Sequence, residues 1–135
     1  VRWECVARIR EAVALPVIAN GEVWSVAGWR AIRAASGCDD VMLGRGAVAD
    51  PLLVERIRGA RAEAPDAADW RELQSLIADF WGQVLAKPEA RHAPGRLKQW
   101  LGLLRRNYAG AEALYCHVRE LDSVAAIGAA LRWRQ

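Results

Sequence analysis

Two short apolar runs, Pro16-Val17-Ile18-Ala19 and Asp40-Val41-Met42-Leu43, constrain this chain more than any other feature. Each stops at a glycine-containing segment, Asn20-Gly21-Glu22 after the first and Gly44-Arg45-Gly46 after the second. An apolar run this short, bounded by turn residues, has the form of a strand buried on both faces. Helical rhythm flanks both runs. Val6, Ile9 and Val13 recur at helical spacing in the segment 3–13, which ends before Leu15-Pro16. Between the runs, Ser25 is a candidate N-cap for a helix that turns Val26, Trp29 and Ile32 inward and Arg30 and Arg33 outward until Gly37 stops it. After the second run, a further helix is predicted from near Asp50-Pro51 toward Gly59. The order helix, strand, helix, strand, helix implies parallel strands, and two such units cannot close a sheet by themselves. Partner strands must come from elsewhere. A complete single-chain β/α barrel takes about 250 residues, whereas this sequence has 135. Length alone leaves open one ordinary domain or the tail of something larger, and the first residues, Val1-Arg2-Trp3-Glu4, read as the middle of a helix.

The Ala-rich stretch 60–68, with Pro65 and Asp66, reads as a linker, and beyond it the pattern becomes purely helical. Trp70, Leu73, Ile77, Phe80 and Trp81 form one apolar stripe, and Leu97, Trp100, Leu101 and Leu104 a second. Leu114, Val118 and Leu121 give a third, and Val124, Ile127 and Leu131 a fourth. Four short amphipathic helices suffice for a small bundle, with turns expected at Lys87-Pro88, Pro94-Gly95 and Ala109-Gly110. The two parts differ in charge. Up to Ala86 there are 10 basic and 12 acidic residues; from Lys87 onward there are 9 basic and 4 acidic. A net charge of +5 in the second part points to a polyanionic partner, because Lys and Arg displace phosphate counterions; a solvated basic helix surface is the alternative. With 53% hydrophobic and 26% charged residues the composition is that of a soluble globular protein, and no apolar run approaches the roughly 18 residues of a membrane span. Cys5, Cys38 and Cys116 are widely spaced, without a CxxC pair, and read as reduced intracellular thiols. No metal site is expected.

The residues best placed for chemistry follow the carboxyl ends of the two strands. There a β/α barrel carries its functional loops, and a phosphate group commonly sits between the last two. Gly21, and then Gly44 with Gly46, let backbone N–H groups approach an anion closely, and Arg45 adds charge. Ordinary tight turns would also use glycine here. The run Pro16-Val17-Ile18-Ala19-Asn20-Gly21-Glu22, followed by Asp40-Val41-Met42-Leu43-Gly44-Arg45-Gly46-Ala47 and Asp50-Pro51, resembles the last two strands of the tRNA-dihydrouridine synthase family. The resemblance implies a fold that is α/β plus all-α: the last two β/α units of a TIM barrel over residues 1–62, then a small helical bundle that binds tRNA over 63–135. It also implies that Asn20, Gly21, Glu22, Gly44 and Arg45 hold the ribityl phosphate end of FMN.

In the second part, Pro94-Gly95-Arg96-Leu97-Lys98-Gln99-Trp100-Leu101, with His117-Val118-Arg119 further on, is similar to the tRNA-binding domain of the bacterial C-type branch, which acts on uridine 16 of the D-loop. Carried over position by position, Arg96, Lys98 and Arg119 would be tRNA contacts, with Leu103 packing nearby. Six basic residues stand against Glu112 alone between Arg91 and Arg119, a charge balance suited to positioning phosphates without reading bases. Trp29, Trp70, Trp81 and Trp100 lie on apolar stripes, which favours core packing over base stacking. His92 and His117 have no spaced partner and read as surface or interface histidines.

By the same resemblance, NADPH reduces FMN, the flavin passes hydride to C6 of uridine, and a cysteine protonates C5. The target base must leave its stack to reach the flavin, hence the need for a domain that grips the RNA. None of the three cysteines matches that donor, so no catalytic residue is assigned in this chain; the expected cysteine lies upstream. The resemblance further implies a cytoplasmic enzyme with tRNA as partner, no membrane association, and a monomer in its full-length form. The 135 residues alone are expected to bind FMN poorly and to lack synthase activity. Two other readings stand beside this one: a different FMN oxidoreductase barrel acting on a small molecule, and a noncatalytic tRNA-binding remnant.

Overall fold

In a computed structural model, which describes residues 2–132, the chain divides into two compact units, the first running to Glu63 and the second starting at Ala64. Val1 lies outside the described residues, but Arg2 and Trp3 precede the first helix, which begins at Glu4 with Trp3 as its N-cap, so the expectation that residues 1–4 are the middle of a helix is not met. The first unit follows the order read from the pattern: α1 (Glu4–Ala12), β1 (Ala19–Asn20), α2 (Val26–Ser36), β2 (Val41–Met42), α3 (Gly44–Ala49) and α4 (Leu53–Ile57). The ends of α2 are set by its sequence. Ser25 Oγ accepts from the Gly28 amide at 3.1 Å, and Gly37 ends the helix at φ 66°, a left-handed conformation that glycine adopts without strain.

β1 and β2 are parallel, with Ala19 opposite Val41 and Asn20 opposite Met42. Ala19 and Val41 point to one face and pack with Val23, Ile32 and Cys38 and the flanking Trp3, Val6, Val17, Trp29 and Leu43. Alternation sends Ile18, Asn20 and Met42 to the other face. That face is bare: Ile18 and Met42 are more than half exposed. The strands are therefore buried on one face only, contrary to the expectation of burial on both. Within these residues α1 and α2 cover one side of a two-stranded sheet, and no layer covers the other.

A second departure concerns Gly44-Arg45-Gly46. Instead of a loop before a helix near Asp50, these residues are already the first turn of α3. Gly46 is buried, and a Cβ there would run into the Val23 carbonyl, so glycine lets the helix seat against the chain that leaves β1. Asp50, expected near a helix start, forms the corner between α3 and α4. Its carboxylate accepts from the Leu52 amide at 3.0 Å and from Arg56 Nε at 2.8 Å, while Arg56 also donates to the Ala62 carbonyl at 2.7 Å. A buried ion pair thus fastens the segment after the second strand.

The second unit contains α5 (Ala67–Leu85), a 3-10 turn (Ala90–His92), α6 (Ala93–Leu104), α7 (Ala109–Val118) and α8 (Val124–Ala130). Asp66 and Asp69 start α5 with reciprocal side-chain to backbone bonds of 2.8 and 3.1 Å. Its inward stripe is Leu73, Ile77, Trp81 and Val84. α6 packs against α5, α7 and α8, and buries Leu97, Leu101 and Leu104. Pro94-Gly95 is not a turn but the first turn of this helix, where proline lacks only an N–H that has no intrahelical acceptor. Ala109-Gly110 likewise opens α7. Trp81 is buried, Trp29, Trp70 and Trp100 are partly so, and Trp100 meets Phe80 edge-on with centroids 4.8 Å apart. No helix among the described residues is long and apolar enough to cross a membrane.

Candidate functional site

Parallel pairing brings the carboxyl ends of β1 and β2 side by side, and the segments that leave them form one cleft. A cavity of about 250 Å³ is lined by Asn20, Gly21, Glu22, Val23, Trp24, Gly44, Arg45 and Gly46. All five residues singled out for cofactor binding are among them. Asn20 is the last residue of β1, and Gly21 follows at φ 132°, a region open to glycine. The Gly21 carbonyl accepts from Trp3 Nε1 at 3.0 Å, which ties this turn to the start of α1. Glu22 has φ 55°, the only positive value among the described non-glycine residues. A left-handed conformation costs such a residue about 1–2 kcal/mol, and it is held by the contacts of its side chain.

Those contacts set the electrostatics of the cleft. One carboxylate oxygen of Glu22 accepts from Arg45 Nη2 at 2.6 Å and the other from Trp24 Nε1 at 2.7 Å. The Arg45 guanidinium lies 5.4 Å from the centre of the Trp24 ring. Arg45 keeps most of its side chain in solvent, so it can move toward a ligand without disturbing the core. First-turn N–H groups of a helix have no intrahelical acceptor, and in α3 those positions are Gly44, Arg45 and Gly46. The cleft thus presents a cation, a side-chain amide and backbone donors beside a carboxylate that holds the cation. Trp24 was not singled out in the sequence, because nothing in the spacing of an aromatic residue three positions beyond a glycine indicates that its ring lies under an arginine 21 residues away.

In the second unit, a broad open groove of about 580 Å³ is lined by Arg91, His92, Pro94, Gly95, Arg96, Lys98, Gln99 and Asp122. Of the four residues assigned to tRNA, Arg96 and Lys98 meet here; Leu103 and Arg119 do not line it. Arg96 is exposed, with Glu89 at 4.0 Å. Lys98 is held by Asp122 at 2.9 Å and is itself only one-fifth exposed. Leu103 is partly buried and follows Arg96 and Gln99 along one face of α6 at the i, i+3, i+7 spacing. Arg119 caps α7 and pairs with Glu120 at 2.9 Å. Arg91, His92 and Gln99 join the groove as residues not assigned to tRNA from the sequence. Gln99 is uncharged and so gave no signal, and Arg91 lies in the 3-10 turn that leads into α6.

Cys5 and Cys116 are exposed and Cys38 is buried ahead of β2; none lines the cleft at the strand ends. No group of His, Cys, Asp and Glu among the described residues could hold a metal ion.

The profile of the dihydrouridine synthase family matches residues 1–92, which takes in the cleft and α5. Similar curated proteins cover most of the chain. A tRNA-dihydrouridine(16) synthase of Aquipseudomonas alcaligenes is 53% identical over 118 residues, 87% of this chain and 38% of the relative. One from Ralstonia nicotianae is 47% identical over 125 residues, 93% of this chain and 38% of its own length. A third, from Escherichia coli O157:H7, is 33% identical over 132 residues, covering 98% of this chain and 40% of that protein. The chain therefore spans about two fifths of the length of these relatives. On the strength of the family match across two parallel strands, their shared cleft and the helix that follows, the chain belongs to the dihydrouridine synthase family.

Proposed function

We propose that this chain is the C-terminal part of a tRNA-dihydrouridine(16) synthase. In that assignment the first unit supplies the last two β/α units of a TIM barrel with the phosphate end of an FMN site, and the second unit binds tRNA. A single observation carries the proposal: Asn20, Gly21, Glu22, Gly44 and Arg45, from two strand ends more than 20 residues apart, line one cleft. Its volume of about 250 Å³ falls below the roughly 300–1,000 Å³ typical of whole-ligand pockets. That size suits a phosphate and the adjoining ribityl carbons, with the ring system held by other strands. The donor set is that of an anion site: Arg45, the Asn20 amide and the opening backbone of α3.

FMN, when bound, supplies the reducing equivalents that saturate the C5–C6 bond of uridine, with NADPH as the source. The residues of this chain bind and orient. Asn20 and Arg45 fix the phosphate, and Glu22 holds the guanidinium at the cleft mouth. Arg96 and Lys98, with Arg119 and Leu103 on neighbouring surfaces, seat the tRNA so that its target base can leave the stack. The bare face of β1 and β2, with Ile18 and Met42 exposed, suits strands packed within a barrel, and supports the inference that the complete protein supplies further strands. Such an enzyme works in the cytoplasm, where its tRNA substrate is found.

The test uses the complete protein that carries this chain. It should purify with FMN and bind tRNA with a steep salt dependence, and neutralising Arg96 and Lys98 together should lower the slope by about 1–2 while flavin is retained. A complete protein lacking the preceding β/α units, or one that binds flavin while its tRNA affinity is indifferent to Arg96 and Lys98, overturns the assignment.

A further inference from the structure

The cleft contains one large side chain to which no role has been given. Trp24 follows the Asn20-Gly21-Glu22 turn, and its indole makes two separate contacts with the residues that define the anion site. Its Nε1 donates to Glu22 at 2.7 Å, and its ring face lies under the Arg45 guanidinium, with 5.4 Å between the guanidinium carbon and the ring centre. Glu22 closes the triangle by accepting from Arg45 at 2.6 Å. Arg45 and Glu22 both extend into solvent, where a lone ion pair between flexible side chains holds little order. The indole is the rigid member. It fixes the direction of one carboxylate oxygen, so the other is aimed at Arg45, and it supplies a flat surface on which a guanidinium settles.

We propose that Trp24 is a positioning residue for Arg45, holding the guanidinium at the cleft mouth for the phosphate of the cofactor. The inference rests on the proposed FMN site. Arg45 carries five N–H donors in a planar fork. With Nη2 turned to Glu22 and one face covered by the indole, the remaining edge of the fork is left to meet a phosphate oxygen, and the guanidinium loses less conformational freedom when it does so.

Binding of FMN and of riboflavin, which lacks the phosphate, separates this role from a general structural one. In the complete protein, W24L removes both the hydrogen bond and the ring face, and should weaken FMN about tenfold while leaving riboflavin affinity within about twofold. W24F keeps a ring face and loses only the bond to Glu22, and should weaken FMN about threefold. In an R45L background, W24L should have no further effect on FMN. Equal losses for FMN and riboflavin, or a full W24L effect persisting in R45L, would show that Trp24 acts on the fold and not through Arg45, and would overturn the proposal. Wild-type protein that binds neither flavin instead defeats the FMN assignment itself.

Discussion

Replacing Arg56 with Met should loosen the end of the first unit far more than its distance from the cleft would indicate. Arg56 and Asp50 have side-chain exposures of 1% and 5%. The pair is therefore removed from solvent, unlike the exposed ion pairs elsewhere in the chain. Methionine fills much of the volume but removes the guanidinium now 2.8 Å from the buried Asp50 carboxylate and the donor now 2.7 Å from the Ala62 carbonyl. Breaking a buried pair in this way costs about 3–5 kcal/mol. At about 1.4 kcal/mol per factor of ten, local opening should become roughly two to three and a half orders of magnitude more frequent. Hydrogen–deuterium exchange of the amides from Asp50 to Ala60 reads this directly, with the amides of α6 as an internal reference. Adding D50N removes the buried charge while keeping an acceptor for the Leu52 amide, and should recover about tenfold or more. Acceleration of less than tenfold in R56M, or equal acceleration in α6, would refute the idea that this pair fastens the segment after the second strand.

Two further outcomes follow from the same geometry. G46A should destabilise the first unit by about 1–3 kcal/mol, because the added methyl meets the Val23 carbonyl. G44A, whose methyl would lie 3.9 Å from the Asn20 side-chain oxygen, should shift the same denaturation midpoint much less. D122N should raise tRNA affinity about two- to fivefold at low salt by releasing Lys98 and removing a negative charge from the groove. That gain should fade as salt screens it; a gain unchanged by salt would point away from electrostatics.

Local chemistry made much of the first unit legible. Ser25 and Gly37 bound α2 because a hydroxyl at the N-cap and a left-handed glycine beyond the C-terminus act through their own backbone neighbours. Gly21, Gly44 and Arg45 stand out as strand-end residues suited to an anion, whereas Asn20 and Glu22 enter only through the family resemblance; all five line one cleft. What escaped depends on partners distant in sequence. Gly44 and Gly46 suggested a loop by propensity, yet they open a helix because Gly46 must fit against the Val23 carbonyl. Pro94-Gly95 was read as a turn although proline serves equally well in the first turn of a helix. The apolar strands pointed to burial on both faces, and hydrophobicity alone cannot say whether the covering residues belong to the same 135. Trp24 and the Asp50–Arg56 pair gain their roles only when α3 and α4 fold back, which no periodicity encodes. In the helical unit the stripes identified the core, but which cations share a groove depended on how α6 meets the segment bearing Asp122.

The central claim is that this chain couples a flavin-phosphate grip to a tRNA grip within one synthase. Its most direct test is mass-spectrometric mapping of tRNA after incubation with the complete protein, FMN and NADPH. A gain of two hydrogens at uridine 16, lost when Arg96 and Lys98 are neutralised in protein that still holds flavin, is the predicted result. Flavin-loaded protein that leaves uridine 16 unreduced, or reduces it equally well without those two cations, would contradict it.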